Sequence, residues 1–199
     1  MNYQILLCGV GGQGILLAAK VIGAAAEASG LSVVANETHG MAQRGGSVKA
    51  QVKIGEAPGS PLVMEGTADV LAALEHVEAL RNAHYLKPGG LAVVSRHSIV
   101  PVTATLGQAQ YPADVEDRLR RVFPRLIYFD CEAKAIELGN PKLENTILTG
   151  MLSRALPLEV GAWHEAIRRS VRPQFAEANI AAFDFGRSLE DGVKTGNQP

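Results

Sequence analysis

The chain has 199 residues, of which 47% are hydrophobic and 20% charged, and its net charge is -1. At about 150 residues per domain, this length predicts one domain with an extension and is enough to bury a core without metal or disulfide cross-links. The balance of 19 Lys and Arg against 20 Asp and Glu argues against a nucleic-acid-binding protein. Two cysteines, Cys8 and Cys131, are too few to ligate an iron–sulfur cluster, and we expect both to be buried free thiols.

The N-terminal region carries no sign of export or membrane insertion. The longest apolar stretch, Ile15 to Ala28, is interrupted by Lys20 and Glu27 and is too short to cross a bilayer. The first residues also lack the basic segment of a secretory signal. We therefore expect a cytoplasmic protein that binds neither a membrane nor nucleic acid.

In chain order, the first third predicts strands and one helix. Residues 3–10 form an apolar run typical of a buried strand, residues 14–29 a helix, and residues 31–35 a second strand. This β-α-β order predicts that the two strands are parallel neighbours. After a turn-rich loop at 37–46, residues 47–54 alternate between apolar and polar, which favours a half-exposed antiparallel edge strand.

The rest of the chain continues the alternation and then becomes helical. Strands are predicted at 68–74, 91–95 and 126–129, and helices at 76–86, 113–123, 131–138, 143–156, 160–171 and 173–189. This order predicts an α/β fold: a three-layer Rossmann-like sandwich with a mostly parallel sheet, an antiparallel edge strand or hairpin insertion, and a helical C-terminal extension from about residue 131. We assign residues 1–191 to a single domain and 192–199 to a flexible tail.

The predicted helix 14–29 is apolar around most of its circumference. Its polar side chains, together with that of Gln13 just before it, are few: Gln13, Lys20 and Glu27 recur every seven residues and form one narrow stripe. Because a sheet covers only one face of such a helix, another element or another chain must cover a second face.

The segment Gly9-Val-Gly-Gly-Gln-Gly14 fits the pattern G-x-G-x-x-G between a strand and a helix. Glycines there permit a tight turn, and the helix N-terminus offers free N–H groups to an anion. In dinucleotide-binding proteins an acidic residue after the second strand binds the ribose, a role that Glu37 fits. The alternative is that the glycines only form the turn. A methyltransferase, suggested by 86–90, is disfavoured because Leu7 and Cys8 stand where an acidic residue is expected.

The loop His39-Gly-Met-Ala-Gln-Arg-Gly-Gly-Ser47 is a second candidate binding element. Arg44, beside Gly45 and Gly46, is suited to binding a carboxylate or phosphate with help from backbone N–H groups. The alternative is a simple hairpin entry in which Arg44 pairs with a surface acid. We favour binding, because a turn alone needs fewer special residues.

The remaining polar residues suggest no catalytic set. Asn140 is interpreted as a cap and Asn179 as a hydrogen-bonded core amide. Four histidines have no partner at metal-ligand or catalytic-triad spacing and are interpreted as surface or packing residues: His76, His84, His97 and His164.

Taken together, these motifs resemble the small (beta) subunits of indolepyruvate ferredoxin oxidoreductases, and more broadly the gamma-type subunits of pyruvate and ketoisovalerate ferredoxin oxidoreductases. The resemblance rests on 9–14 and 37–47 and covers about residues 3–186; the segment 39–47 favours the indolepyruvate group. Further agreement lies in Ser60-Pro-Leu62, Ala68-Asp-Val-Leu71, His84-Tyr-Leu-Lys-Pro-Gly-Gly90, Gly139-Asn140, Asn145 and Gly150.

The resemblance implies an enzyme subunit that is not catalytically complete alone. Such enzymes oxidatively decarboxylate a 2-oxo acid, here indolepyruvate or another aryl pyruvate, with coenzyme A to an acyl-CoA and pass the electrons to ferredoxin. The resemblance also implies a large alpha subunit that carries thiamine diphosphate, Mg²⁺ and [4Fe–4S] clusters, so that this chain binds no cofactor by itself.

On this basis we predict no catalytic or metal-binding residue in the chain, but a surface that binds substrate, coenzyme A or the partner subunit. Its residues are Gly11, Gly12, Gln13, Gly14, His39, Gln43, Arg44, Gly45, Gly46 and Ser47. Two alternatives stay open. One is a Rossmann-type NAD(P)-binding oxidoreductase that uses the 9–14 loop and Glu37, and the other is a non-catalytic scaffold protein.

Overall fold

A six-stranded mixed sheet forms the centre of the protein in the computed structural model, which describes residues 2–39, 45–100 and 110–190. Its strands are β1 (Asn2–Val10), β2 (Ser32–His39), β3 (Ser47–Gly55), β4 (Ala68–Ala73), β5 (Leu86–Ser95) and β6 (Leu126–Phe129). They lie in the order β2-β3-β1-β4-β5-β6. The pairs β1–β4, β4–β5 and β5–β6 are parallel, whereas β3 is antiparallel to both of its neighbours.

Helices cover both faces of the sheet. The helices of the described residues are α1 (Ile15–Ala28), α2 (His76–Arg81), α3 (Val115–Val122), α4 (Cys131–Glu137), α5 (Glu144–Ser153), α6 (Val160–Ser170) and α7 (Ala176–Ser188). One face packs against α1 and α4 to α7, the other against α2 and α3. The predicted three-layer α/β class is confirmed. The helices after residue 131 are more than an appendage, since they complete the layer that α1 begins.

Strand β1 shows why the central strands are continuously apolar. Ile5 and Leu7 point into the α1 layer, while Leu6 and Cys8 point into the α2 layer, and all four side chains are buried. A strand covered on both faces needs apolar residues at every position. Cys8 and Cys131 are both free and buried, as predicted, and they lie on opposite faces of the sheet.

The prediction that β1 and β2 are adjacent in the sheet is wrong. Strand β3 lies between them and pairs with β1 along its whole length, from Asn2 with Gly55 to Val10 with Ser47. The β2–β3 hairpin therefore occupies the edge of β1 that a second parallel strand would take. The β-α-β pattern gives the direction of the strands, but it does not show that a later strand returns between them.

The predicted edge position of β3 is also wrong, although its antiparallel direction is confirmed. Its apolar residues face α1, while its polar face is covered by the irregular segment that follows it. There Gln51 is only 8% exposed, and its Oε1 accepts a hydrogen bond of 2.6 Å from the Val63 N–H. The edge strand is β2, which is longer than predicted because residues 36–39 continue to pair with β3.

The expectation that a second element covers α1 is confirmed by α6 and α5, which pack against it. Asn140 caps the short turn before α5 through a 3.0 Å bond to Lys142 N, and Asn179 is a buried amide that accepts from Thr146 Oγ1 at 2.7 Å, both as predicted. No described helix is long and apolar enough to cross a bilayer. The predicted tail, 192–199, lies outside the described residues.

Candidate functional site

The glycine loop between β1 and α1 depends on left-handed backbone conformations. Gly12 has φ +107° and Gly14 has φ +85°, values that favour glycine. Gly14 is also the N-cap of α1 and contributes no side-chain cap. Its carbonyl accepts a 3.1 Å bond from Asn145 Nδ2 of α5, and a Cβ atom on Gly14 would overlap with this amide. Gly14 is thus required both for its φ angle and for the close approach of α5.

Gln13 is a bridging residue inside the loop rather than a free ligand-binding side chain. Its Oε1 accepts from Val10 N at 2.8 Å and its Nε2 donates to Leu74 O at 2.8 Å. The side chain therefore joins the ends of β1 and β4, where connections leave towards opposite sides of the sheet and where α/β proteins commonly place ligands. Gly9 leaves the room for it, since a Cβ there would lie 2.8 Å from Gln13 Oε1.

The two segments predicted to bind ligand meet in the structure. Gly11 N donates to Gly46 O at 2.8 Å, and Gly45 N donates to Gly11 O at 3.4 Å. The next residue, Ser47, donates its hydroxyl to Glu78 Oε2 at 2.6 Å, and Glu78 is only 6% exposed. Ser47 therefore anchors the end of the second loop to α2, on the other face of the sheet.

A cavity of about 470 Å³ opens beside the joined loops. It is lined by Val10, Gly11, Gly12, Gly14, Ile15, Leu16 and Val48. The first backbone N–H groups of a helix lack intrahelical acceptors, so the start of α1 offers donors at this cavity. Its volume falls in the range of small-molecule sites, and its apolar walls suit either a ligand with one acidic group or an inserted side chain of a partner.

Some of the predicted site residues lie outside the part of the chain that the structure describes. Gly11, Gly12 and Gly14 line the cavity, while Gly45 and Gly46 close the loop against Gly11. His39 ends β2 opposite Val48 of β3. Gln43 and Arg44 lie outside the described residues.

The position of Glu37 counts against the dinucleotide-binding alternative. Glu37 pairs with Ala50 of β3, which in turn pairs with Leu7 of β1. At about 4.8 Å per strand, Glu37 is roughly 9.6 Å from β1 in the sheet. A ribose-binding acid follows the strand adjacent to β1. With β3 in between, Glu37 does not have that relation to the glycine loop.

A cluster of polar side chains at the carboxyl ends of β4, β5 and β6 was not predicted. His76 Nδ1 lies 3.0 Å from Tyr128 Oη, and its Nε2 lies 2.8 Å from Tyr111 Oη and 3.1 Å from Ser98 Oγ. Glu75 caps α2 by accepting from Glu78 N at 2.8 Å, and it also accepts from the Tyr111 hydroxyl.

His97 completes the cluster at the end of β5. Its Nδ1 lies 3.0 Å from Glu144 Oε1, which also accepts from Ser95 Oγ at 2.8 Å. His76 and His97 were interpreted as surface or packing residues, and the structure places both in a hydrogen-bonded polar cluster that this interpretation missed. Each lies two residues after a predicted strand end, and that position was the signal available in the sequence, because carboxyl ends of parallel strands converge at one edge.

The surroundings shift the pKa values of His76 and His97 in opposite directions. Burial lowers the pKa of His76, which favours the neutral ring. The hydrogen bond that His97 donates to Glu144 raises the pKa of His97, which favours the imidazolium. Burial also raises the pKa of Tyr128 to about 12, so this phenol stays protonated. Within the described residues, no group of His, Cys, Asp and Glu side chains is arranged to hold a metal ion.

Solved structures share this fold. The gamma subunit of a keto/oxoacid ferredoxin oxidoreductase from Geobacter sulfurreducens is 25% identical, with a TM-score of 0.68, and the match covers 92% of this chain and 95% of that one. Pyruvate oxidoreductase subunit PORC from Thermotoga maritima gives a TM-score of 0.72 at 20% identity, covering 94% and 96% of the two chains. The three-layer α/β fold is thus shared with these two subunits.

The sequence comparisons define the family. The family model "Pyruvate ferredoxin/flavodoxin oxidoreductase" matches residues 4–189, and the chain belongs to this family. A curated relative named indolepyruvate oxidoreductase subunit IorB, from Pyrococcus horikoshii, is 42% identical over 93% of this chain and 94% of its own length. The IorB of Archaeoglobus fulgidus is 40% identical over 94% of both chains. A 2-oxoglutarate synthase subunit KorC from Methanothermobacter marburgensis is 32% identical over 95% of this chain and 97% of its own length.

Proposed function

We propose that this chain is the small subunit of a thiamine-diphosphate-dependent oxidoreductase that converts indolepyruvate or a related aryl pyruvate, with coenzyme A, to an acyl-CoA and passes electrons to ferredoxin. The observation that carries the proposal is the similarity to subunits named for indolepyruvate, which are 40–42% identical for three relatives and 32% for a fourth, against 27–32% for four relatives named for 2-oxoglutarate.

The cofactors are proposed to be carried by a large alpha subunit. A [4Fe–4S] cluster takes four thiolates, whereas this chain has two cysteines, which are buried on opposite faces of the sheet. Among the described residues, the glycine-loop cavity is lined by apolar side chains and glycines, and none of these lining residues offers a carboxylate to a Mg²⁺-bound diphosphate. The residues of this chain therefore do not fit these groups, and we derive no step through them here.

We propose that this chain forms one wall of the active site. The joined segments at Gly11 and Gly45–Gly46, and the start of α1, would face the large subunit. Arg44 and the N–H groups of α1 would then bind the carboxylate of the oxo acid or a phosphate of coenzyme A. Replacing Arg44 by Ala in the complex is expected to raise one of these two KM values. Unchanged KM values together with unchanged subunit association would refute the role of Arg44.

Co-expression with the large subunit tests the proposed function. The purified complex is expected to reduce a viologen dye in a coenzyme A-dependent reaction, faster with indolepyruvate or phenylpyruvate than with pyruvate or 2-oxoglutarate. A preference for 2-oxoglutarate would overturn the substrate assignment. A stable complex with no oxo-acid activity would instead favour a scaffold protein.

The dinucleotide-binding alternative has its own test. Titration of the isolated chain with NADH and NADPH is expected to show no binding in the micromolar range, because Gln13 bridges β1 and β4 and Glu37 lies two strands away from β1. Micromolar binding of either nucleotide would support that alternative and contradict the subunit reading of the glycine loop.

A further inference from the structure

Helix α1 carries an exposed stripe that no element of the described chain covers. The stripe runs from Lys20 to Glu27, and both of these residues are exposed. Neither forms an ion pair with any described residue. Between them lie Gly23 and Ala24, which are half-buried; a Cβ atom on Gly23 would lie 3.5 Å from Val33 Cγ1 of β2, so this side of the helix packs on the edge strand.

A groove of about 490 Å³ runs beside this stripe, between α1, the edge strand β2 and the end of α6. Small and apolar residues line it, among them Gly23, Val33 and Ala35, together with charged residues of both signs: Lys20, Glu27, Glu37 and Arg169. Ser170 also lines the groove, and its buried hydroxyl has no hydrogen-bond partner in the part of the chain that is described. A buried hydroxyl without a partner is costly, and a chain that fills the groove could supply one.

Strand β2 leaves the same side of the molecule open. Its eight residues pair with β3 in an unbroken register, without a bulge, and none of them is a proline or a lysine. Proteins normally protect edge strands with such features because an unpaired edge invites pairing with another chain. The other sheet edge, β6, is only four residues long.

The charged residues of the α1 stripe can pair with the same residues of a second copy. Lys20 and Glu27 are seven residues apart, which is about 10.5 Å along a helix axis. A two-fold axis that passes between Gly23 and Ala24 would set two copies of α1 antiparallel. Each Lys20 would then face the Glu27 of the other copy, and the small residues would lie at the crossing point. A chain of unrelated sequence has no reason to match this reciprocal spacing.

We propose that the surface formed by α1 from Lys20 to Glu27, with the groove beside β2, binds the same surface of a second copy of this chain. The small and apolar residues of the groove supply the buried area, and the reciprocal ion pairs fix the antiparallel register. The contact is centred on residues 20–27 and adjoins the glycine-loop cavity, since Leu16 lines both the cavity and the groove. The proposal concerns assembly and does not depend on the proposed reaction.

A charge-swap series tests this contact by sedimentation velocity, on the purified full-length chain and on the complex with the large subunit. Lys20→Glu and Glu27→Lys each replace two attractive contacts by two repulsive ones, and each is expected to weaken dimerisation of the chain by at least about tenfold. The double variant restores both attractions with reversed signs and is expected to dimerise like the wild type. Lys142→Glu, at an exposed site away from α1, is the matched control.

Restoration by the double variant would support the contact, because only an isologous pair of residues 20 and 27 predicts it. A wild-type chain that stays monomeric both alone and in the complex would overturn the proposal. So would a dimer that is insensitive to the single swaps, or single swaps that release the large subunit instead of separating the two copies. Since all three substitutions are at exposed positions, circular dichroism is expected to be unchanged.

Discussion

At the scale of single residues, Gly14 shows how the backbone and the tertiary packing constrain the same position. Its φ of +85° is unfavourable for any residue with a Cβ atom, and its neighbour Asn145 leaves no room for that atom. The contact also links the start of α1 to α5, which lies 131 positions further along the chain. The geometry of the glycine loop therefore depends on the C-terminal helices.

Replacing Gly14 by Ala is expected to lower the free energy of unfolding by about 2–4 kcal/mol, from left-handed strain of about 1–2 kcal/mol plus the overlap with Asn145. Gly12→Ala separates the two causes, because Gly12 has φ +107° but no atom near a Cβ, and it is expected to cost only the strain. Gly161→Ala, in α6 with ordinary φ and open space, is the control without strain or overlap and is expected to raise the free energy of unfolding by about 0.4–1 kcal/mol. Urea denaturation measures all three, and equal losses for Gly14 and Gly12 would contradict the role of Asn145.

His97 predicts a pH dependence of stability. The Glu144 hydrogen bond raises the pKa of His97 above its ordinary value of 6.5, so the folded protein holds this proton more tightly than the unfolded chain. The resulting stabilisation is fully present below pH 6.5 and is lost as the pH rises through the folded pKa. His76 acts in the opposite direction, because burial lowers its pKa and its protonation at low pH favours unfolding.

The substitution His97→Gln is therefore expected to destabilise the protein more at pH 5.5 than at pH 8.5. The measurement is urea denaturation of both proteins at several pH values between these limits. His164→Gln provides the comparison, since His164 lies on α6 at the surface, paired with Asp184. A difference between wild type and His97→Gln that does not vary with pH would contradict the charged interaction with Glu144.

At the scale of elements, β3 shows what the sequence could and could not predict. The alternation of Val48, Ala50, Val52 and Ile54 with polar residues correctly indicates a strand with one apolar face and an antiparallel direction. Its place inside the sheet depends on long-range pairing with β1 and on the segment that covers Gln51. Neither is a local property, so the periodicity of residues 47–54 alone suggested an edge strand.

The covering of β3 predicts the effect of replacing Gln51. Gln51→Ala removes the acceptor of the Val63 N–H in a buried position and is expected to lower the free energy of unfolding by about 1–3 kcal/mol. Gln51→Glu keeps an acceptor oxygen in place and tests whether that oxygen is what matters. Lys53→Ala, at a less buried position on the same face of β3, is expected to change the free energy of unfolding by less than about 0.5 kcal/mol. A loss from Gln51→Ala no larger than that from Lys53→Ala would contradict the account of this face.

The candidate site was predictable to a similar extent. The glycines of the first loop and the segment at 45–47 were identified from composition and spacing, and the structure brings them together through Gly11. The bridging role of Gln13 was not identified, because it depends on the backbone of Leu74, 61 positions away. The cluster around His76 was missed for the same reason, since its phenols come from residues 111 and 128.

At the scale of the whole molecule, the two ends of α1 have different surroundings. The N-terminal end lies at the glycine-loop cavity, which is proposed to face the large subunit. The stripe from Lys20 to Glu27, with the groove beside it, is proposed to face a second copy, and Leu16 lines both the groove and the cavity. These adjoining surfaces would let one small chain join two kinds of partner, and the reaction would take place only in the assembly.

The most direct test of this account is reconstitution of the enzyme from separate subunits. The large subunit, purified without this chain, is titrated with it, and coenzyme A-dependent reduction of a viologen dye by indolepyruvate is measured. The account predicts that activity is low without this chain, rises as it is added, and reaches a plateau when the two chains are present in equal amounts. Full activity of the large subunit alone, or no activity at any ratio, would contradict it.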